Sequence, residues 1–297
     1  MTKFSIIITT KNRILELKKT LLSLNDILKR KDVELLICDD ASIDGTALFL
    51  KEKYSNHTLV FNQKSKGLIH NRNLLNGKAK GTYLISLDDD LNFLTKEPLE
   101  KIDSFFKKNP RAAVLSFRIF WNKTKPKVQA TKQKIHRVNS FAGGAHVLRK
   151  SFWEQTPNYP AWFEFYGEED FLSYHAFLLK KEIYYFPSIL THHRVNLVLR
   201  KKDKDYFLRS KRSLRSGWFL YLLFCPLKEI PKLFLYTVYA QVKKNKIKNT
   251  MAVFLAFADL FLNIKNILRN KCRLTSEEWK AYRLLPSVVL YWMPKEE

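Results

Sequence analysis

Residues 83–90 read Tyr83-Leu84-Ile85-Ser86-Leu87-Asp88-Asp89-Asp90, an apolar run that passes without a break into three carboxylates. A short apolar run of this kind predicts a buried strand. If the chain stays extended through the acids, Asp88 and Asp90 point to one face and Asp89 to the other. Three adjacent carboxylates at a strand end repel one another unless a cation or bound protons offset their charge. A hard divalent ion such as Mg2+ or Mn2+, shared with a diphosphate, does so through oxygen ligands. The plainer alternative is an acidic turn or a helix cap leading into Asn92.

The surrounding sequence alternates β-branched runs with amphipathic stretches. Strands are predicted over 3–10, 33–38, 58–61 and 82–87. Between them Ile14, Leu17, Leu21, Leu22 and Leu24 recur at near-helical spacing, as do Leu68, Leu74 and Leu75 before Gly77 and Gly81. This is the pattern of βα units and an α/β fold with a mostly parallel central sheet flanked by helices. A further strand is predicted over 113–120, an exposed loop or hairpin over 122–134, an apolar helix over 171–179 and a strand over 183–186 that ends at Pro187. Open α/β sheets bind ligands at the carboxyl ends of their strands. There stand Thr10-Lys11-Asn12-Arg13, Asp39-Asp40 and the acid triplet. The turn 39–46 can accept hydrogen bonds from a base or a ribose through Asp40, while Ser42 and Asp44 can equally start the next helix.

Six pieces in order resemble glycosyltransferase family 2, nucleotide-sugar-dependent inverting enzymes of the GT-A fold. They are Ser5-Ile6-Ile7-Ile8-Thr9-Thr10-Lys11-Asn12-Arg13, Cys38-Asp39-Asp40-Ala41-Ser42-Ile43-Asp44-Gly45-Thr46, Gly67-Leu68-Ile69-His70-Asn71-Arg72-Asn73 with Ala79-Lys80-Gly81, Leu87-Asp88-Asp89-Asp90, Gly143-Gly144-Ala145 and Gly167-Glu168-Glu169-Asp170. The resemblance runs from residue 4 to about 194 and leaves the last hundred residues uncovered.

The resemblance implies that Thr9, Lys11, Asn12, Arg13, Asp40, Arg72, Asp88 and Asp89 contact the nucleotide sugar, with Thr9 and Asp40 at base and ribose and Asp89 at the ribose. Asp90 would ligate Mn2+ or Mg2+, supported by Asp88 and by His192 or His193. Displacing a nucleoside diphosphate from an anomeric carbon builds negative charge on the leaving group, which such an ion stabilises. Inversion needs a base on the opposite face of the ring. By alignment that base is Asp170, with Glu169 next; the same three acids also suit a helix N-terminus. Acceptor contacts would come from Glu168 and from Trp162, which could stack on a sugar face, although packing in the core is the favoured reading of the aromatic group around it. Gly143 and Gly144 would let backbone approach the sugar. The family's processive members carry a Gln-x-x-Arg-Trp string; none occurs here, which favours addition of a single sugar.

The 297 residues carry 53 Lys+Arg against 28 Asp+Glu, a formal charge of +25, yet 46% are hydrophobic, too many for a disordered basic tail. The three cysteines, Cys38, Cys225 and Cys272, lie too far apart for a zinc or dithiol motif and read as reduced. The N-terminus enters its first strand directly, so the domain is expected to start in the cytoplasm. Neither 218–240, with Pro226 and Pro231, nor 251–264, with Asp259, is predicted to span a bilayer.

The division expected is a GT-A catalytic domain over 1–198 and a basic, aromatic-rich helical region over 199–297, the latter for membrane-surface attachment or oligomerisation. Arg209, Lys211, Arg212 and Arg215 precede an apolar run, and Lys243, Lys244, Lys246 and Lys248 precede another, as in helices lying on an anionic membrane. Packing on the catalytic domain or on a second copy is the alternative. The basicity therefore predicts anionic partners: a UDP- or dTDP-type sugar donor, a glycan or lipid-linked acceptor and a membrane surface, with no nucleic-acid motif in view. Two other readings are a sugar-phosphate nucleotidyltransferase, disfavoured because no glycine stands in residues 9–13, and a catalytically inactive adaptor, disfavoured because Asp88, Asp90 and Asp170 are all present.

Overall fold

A computed structural model describes residues 2–195, 206–244 and 248–288 of the chain. The boundary expected near residue 198, and Lys246, lie outside the described residues.

The strands are β1 (Phe4–Thr10), β2 (Val33–Asp39), β3 (Thr58–Phe61), β4 (Tyr83–Asp88), β5 (Leu91–Phe93), β6 (Ala112–Trp121), β7 (His136–Val138), β8 (Ala145–Arg149) and β9 (Glu182–His193). The helices are α1 (Ile14–Ser23), α2 (Asn25–Leu28), α3 (Thr46–Lys53), α4 (Leu68–Lys78), α5 (Pro98–Lys108), α6 (Lys150–Trp153), α7 (Glu168–Leu178), α8 (Tyr206–Phe224), α9 (Ile230–Lys244), α10 (Lys248–Leu262), α11 (Ile264–Asn270) and α12 (Ser276–Leu284). They surround one sheet of order β3-β2-β1-β4-β8-β6-β9-β5, with β7 added on β9.

The first four strands pair in parallel, as the βα alternation predicts. β8 then inserts antiparallel between β4 and β6, and β6 pairs in parallel with β9. Period-2 alternation divides the core between the two faces. Ile6, Ile8, Leu35 and Ile37 join a cluster under α1 and α5, whereas Ile7, Leu36 and Cys38 join a second one with α4, α6 and α7. Trp218, Phe219, Phe224, Leu260, Trp279 and Tyr282 belong to that second cluster, so the C-terminal helices share their apolar core with the sheet. Cys38 and Cys225 pack within it as free thiols, and the third, Cys272, is exposed.

The strand expected to stop at Pro187 runs on to His193. Its register against β6 shifts between Phe117 and Arg118, which pair with Phe186 and Leu190, so residues 187–189 are looped out. Pro187 therefore needs no ladder donor, and the strand continues beyond it. β9 also takes β5 as an antiparallel partner, with Leu91 opposite His193. Just beyond, Arg194 donates to Glu16 Oε2 at 2.8 Å, to Thr20 Oγ1 at 2.7 Å and to Asn92 Oδ1 at 2.7 Å, clasping α1 to the ends of β5 and β9.

Among the described residues no single helix is long and apolar enough to cross a membrane, though 250–262 and 264–270 together reach that length across a 64° bend.

Candidate active site

The carboxyl ends of β1, β2 and β4 open into a cavity of about 1130 Å3. Thr9, Lys11, Arg13, Asp40 and the acid triplet form one side of its wall. Glu164, Phe165 and Tyr166 also line it, as do Arg209 and Arg212 of α8.

β4 ends at Asp88, and Asp89 and Asp90 lie in a turn, yet the turn still sets Asp89 apart from Asp88 and Asp90. Asp88, Asp90 and His193 offer ligand atoms that all lie within 4.8 Å of one another. His193 Nε2 stands 2.9 Å from Asp90 Oδ1 and 3.9 Å from Asp88 Oδ2. Two carboxylates and an imidazole form a donor set that suits Mn2+ or Mg2+. Burial alone would raise Asp90, but His193 and Arg13 outweigh it and hold the carboxyl below the usual range. Adjacent strand residues face opposite ways, so His192 cannot join the set. Its Nε2 lies 2.8 Å from Asn122 O, and burial lowers its pKa.

Asp89 turns to the protein. Its oxygens take a 2.7 Å hydrogen bond from Thr10 Oγ1 and an ion pair of 3.1 Å with Arg13, whose other nitrogen bonds Asp90. Burial pushes Asp89 up to about 7 in spite of Arg13. Asn12 braces two loops, its side chain accepting from Ile43 N and its own N–H donating to Ser42 Oγ, each at 2.8 Å. Asp40 borders the cavity with both oxygens engaged. Asn62 Nδ2, Ser65 Oγ, Lys66 N and Gly67 N donate to it at 2.6–3.0 Å. Against the effect of burial, these donors hold Asp40 well below the usual carboxylate range.

Arg72 does not reach the cavity wall, contrary to the nucleotide contact expected of it. It is 3% exposed and joins the two acidic groups. Nη2 donates to Asp88 at 3.0 Å and to Gly143 O at 2.9 Å, while Nη1 stands 3.4 Å from Glu168 and 3.6 Å from Glu169. The segment 140–144 runs beside these acids. Ser140 Oγ donates to Asp170 at 2.5 Å, Gly143 abuts Glu169, and Gly144 abuts Asp88 and His193. The two glycines thus make room for carboxylates of the protein itself. Burial raises the pKa of all three α7 acids. Arg72 opposes this at Glu168, Ser140 opposes it at Asp170, and the neighbouring Glu168 charge drives Glu169 well up.

Trp162 is not the aromatic residue on the cavity. Its ring packs 4.6 Å from Phe163 and 4.9 Å from Phe219 of α8, and Glu168 is buried against Arg72. Phe165 and Tyr166 take the wall position instead, with Glu164 and Tyr166 at φ of 62° and 69°. Arg215 pins this loop through Glu164 at 3.2 Å and through Phe163 O, and Ser216 Oγ donates to Phe165 O at 3.3 Å. The cavity positions of Arg209 and Arg212 were missed. Their only sequence signal, a basic run before an apolar one, is shared by any amphipathic helix.

A mixed sheet whose parallel strand ends carry an acidic triplet, tied through Arg72 to a second acidic helix start, is the arrangement expected of a GT-A glycosyltransferase. Residues 5–186, more than half of the chain, match the profile of Glycosyl transferase family 2, and the chain belongs to that family. An 80-residue stretch, 26% of the chain, is 38% identical to a chondroitin synthase of Escherichia coli and spans 12% of that protein's length. Among solved structures, GalNAc-T7 with UDP, GalNAc and Mn2+ superposes with a TM-score of 0.62 at 17% identity over 82% of this chain and 52% of that one. S. aureus TarS 1–349 in complex with UDP-GlcNAc does so at 0.58 and 17% identity over 87% and 80%. The chain is thus similar to nucleotide-sugar-binding glycosyltransferases, at an identity that speaks for the fold.

Proposed function

We propose that the protein is a metal-dependent inverting glycosyltransferase that moves one sugar from a UDP- or dTDP-type donor to a glycan or lipid-linked acceptor in cell-surface polysaccharide assembly. The observation that carries this reading is the linkage of two acidic groups by one buried guanidinium, with Asp88 on one side of Arg72 and Glu168 and Glu169 on the other.

In this reading Asp88, Asp90 and His193 hold Mn2+ or Mg2+, which when bound neutralises the diphosphate. Thr9, Lys11 and the loop tied to Asp40 border the nucleotide. Asp170 takes the proton of the acceptor hydroxyl. The acceptor oxygen bonds to the anomeric carbon as the bond from that carbon to the diphosphate oxygen breaks, and the electron pair leaves with the nucleoside diphosphate. Asp170 is not among the residues that line the cavity; it suits the role because burial raises its basicity and, among the described residues, its side chain's one hydrogen-bond partner is Ser140. Glu168 and Glu169 share Arg72 instead, and burial together with the Glu168 charge raises Glu169 well above the ordinary glutamate value.

The reading also places the protein at the cytoplasmic face of a membrane. Supporting it, Leu235, Tyr236 and Tyr239 of α9 and Phe254, Phe261 and Leu262 of α10 are each at least 63% exposed, within a C-terminal third that carries +12 of the +25. Exposed aromatic faces beside lysines suit an anionic interface. Flotation with anionic but not zwitterionic vesicles is the expected result; equal behaviour with both refutes the attachment. For the transfer itself, a thermal-shift panel of UDP- and dTDP-sugars with and without Mn2+ should show metal-dependent stabilisation. No response to any donor refutes the reading.

A further inference from the structure

Lys211 and Arg215 of α8 meet acids: Lys211 Nζ lies 2.9 Å from Asp259, and Arg215 Nη1 lies 3.2 Å from Glu164 and 3.4 Å from Asp259. Arg209 and Arg212, three residues apart and so on one side of the helix, line the cavity. Among the described residues Arg212 has no ion-pair partner.

The acids of the same wall are already matched. Asp40 accepts from four donors, Asp88 faces Arg72, Asp89 and Asp90 face Arg13, and Glu164 faces Arg215. No acid on the wall is therefore left for Arg212. The helix is also fixed in place, because Arg215 and Ser216 bond the carbonyls of Phe163 and Phe165, in the loop that closes the cavity. A guanidinium held at a cleft wall by a docked helix is a recognition group for phosphate oxygens, which match its planar fork.

We propose that Arg209 and Arg212 form a diphosphate-binding wall, donating to the donor's phosphates in the cavity they share with the acid cluster and taking up the negative charge that develops as the sugar leaves. This rests on the nucleotide-sugar reading above and assigns α8 a direct part in donor binding. Donors aimed at a leaving group act most strongly where charge develops, so turnover is affected beyond ground-state binding.

The test is calorimetry on the full chain with Mn2+, using UDP, dTDP and GDP. The diphosphate that wild type binds tightest is then compared with its monophosphate and its nucleoside. Arg212→Ala and Arg209→Ala/Arg212→Ala should weaken the diphosphate about tenfold or more, in line with a lost charged hydrogen bond, while the nucleoside is bound as before. Arg212→Lys should recover part of the loss, and circular dichroism melts should match wild type. Equal losses for nucleoside and diphosphate, or unchanged diphosphate affinity with only the acceptor KM raised, overturn the proposal. Wild type that binds no nucleoside diphosphate overturns the donor reading and this wall with it; tight wild-type binding beside unaltered variants overturns the wall alone.

Discussion

The carboxylate of Glu169 occupies the space that a side chain at position 143 would take: a Cβ built on Gly143 falls 1.6 Å from Glu169 Oε1. The glycine is required by packing rather than by backbone conformation, since its φ is not in the left-handed region. Gly143→Ala must displace Glu169 or the turn, at a cost of about 1–3 kcal/mol for overpacking. A lowered urea midpoint and reduced sugar transfer are expected; a variant with wild-type stability and turnover contradicts the placement.

Arg72 compensates carboxylates on two elements from a buried position. Arg72→Met leaves Glu168 buried without a cation, a change that typically costs about 3–5 kcal/mol. Chemical denaturation measures it directly. Arg72→Lys is expected to recover only part, because a single ammonium cannot reach Asp88, Gly143 O and Glu168 together.

The proposed division of labour between the two acidic groups separates binding from chemistry. Asp90→Asn should abolish the Mn2+-dependent part of donor stabilisation in a thermal-shift assay. Asp170→Asn should leave that stabilisation intact and lower turnover by roughly a hundredfold or more, the scale of general-base catalysis. Wild-type turnover in Asp170→Asn would remove it from the base role.

His146, in β8 beside the site, sets an acid limit on stability. Burial, with the charge of Arg72, pushes it from its ordinary 6.5 down to about 3. The unfolded chain takes up a proton at the ordinary value and the native chain does not. The contribution is therefore present above pH 6.5 and is lost as the pH falls from there to about 3, at up to about 1.4 kcal/mol per unit. Urea midpoints at about pH 7 and about pH 5 should converge more closely for His146→Gln than for wild type; equal slopes would refute the assignment.

The parallel half of the sheet was legible because each of its strands is a local apolar run closed by polar residues. The ends of β1 to β4 fall within a residue of those read from sequence. β8 was not read as a strand, since its five residues gain their identity only by pairing with β4 and β6. The choice between His192 and His193 depends on side-chain parity after residues 187–189 are looped out, and a bulge leaves no mark in local periodicity. Arg72 was recognisable as a motif residue, but its role follows from which acids the fold brings to it. Core packing is the favoured sequence reading of Trp162 and is what the structure shows; its partner Phe219 lies in a helix more than fifty residues away, so sequence alone does not identify what it packs on.

The clasp made by Arg194 has a consequence for when the site comes into being. Its guanidinium joins Glu16 across 178 positions and Asn92 across 102, and its neighbour His193 completes the cluster begun at Asp88. Contacts of such long sequence separation form late and cannot form on a ribosome-bound chain until residue 194 has emerged. A chain truncated before that point would retain the acid triplet and the Asp40 loop without the histidine. If the cluster binds an ion as proposed, tight ion binding would therefore report that the chain has folded through residue 194.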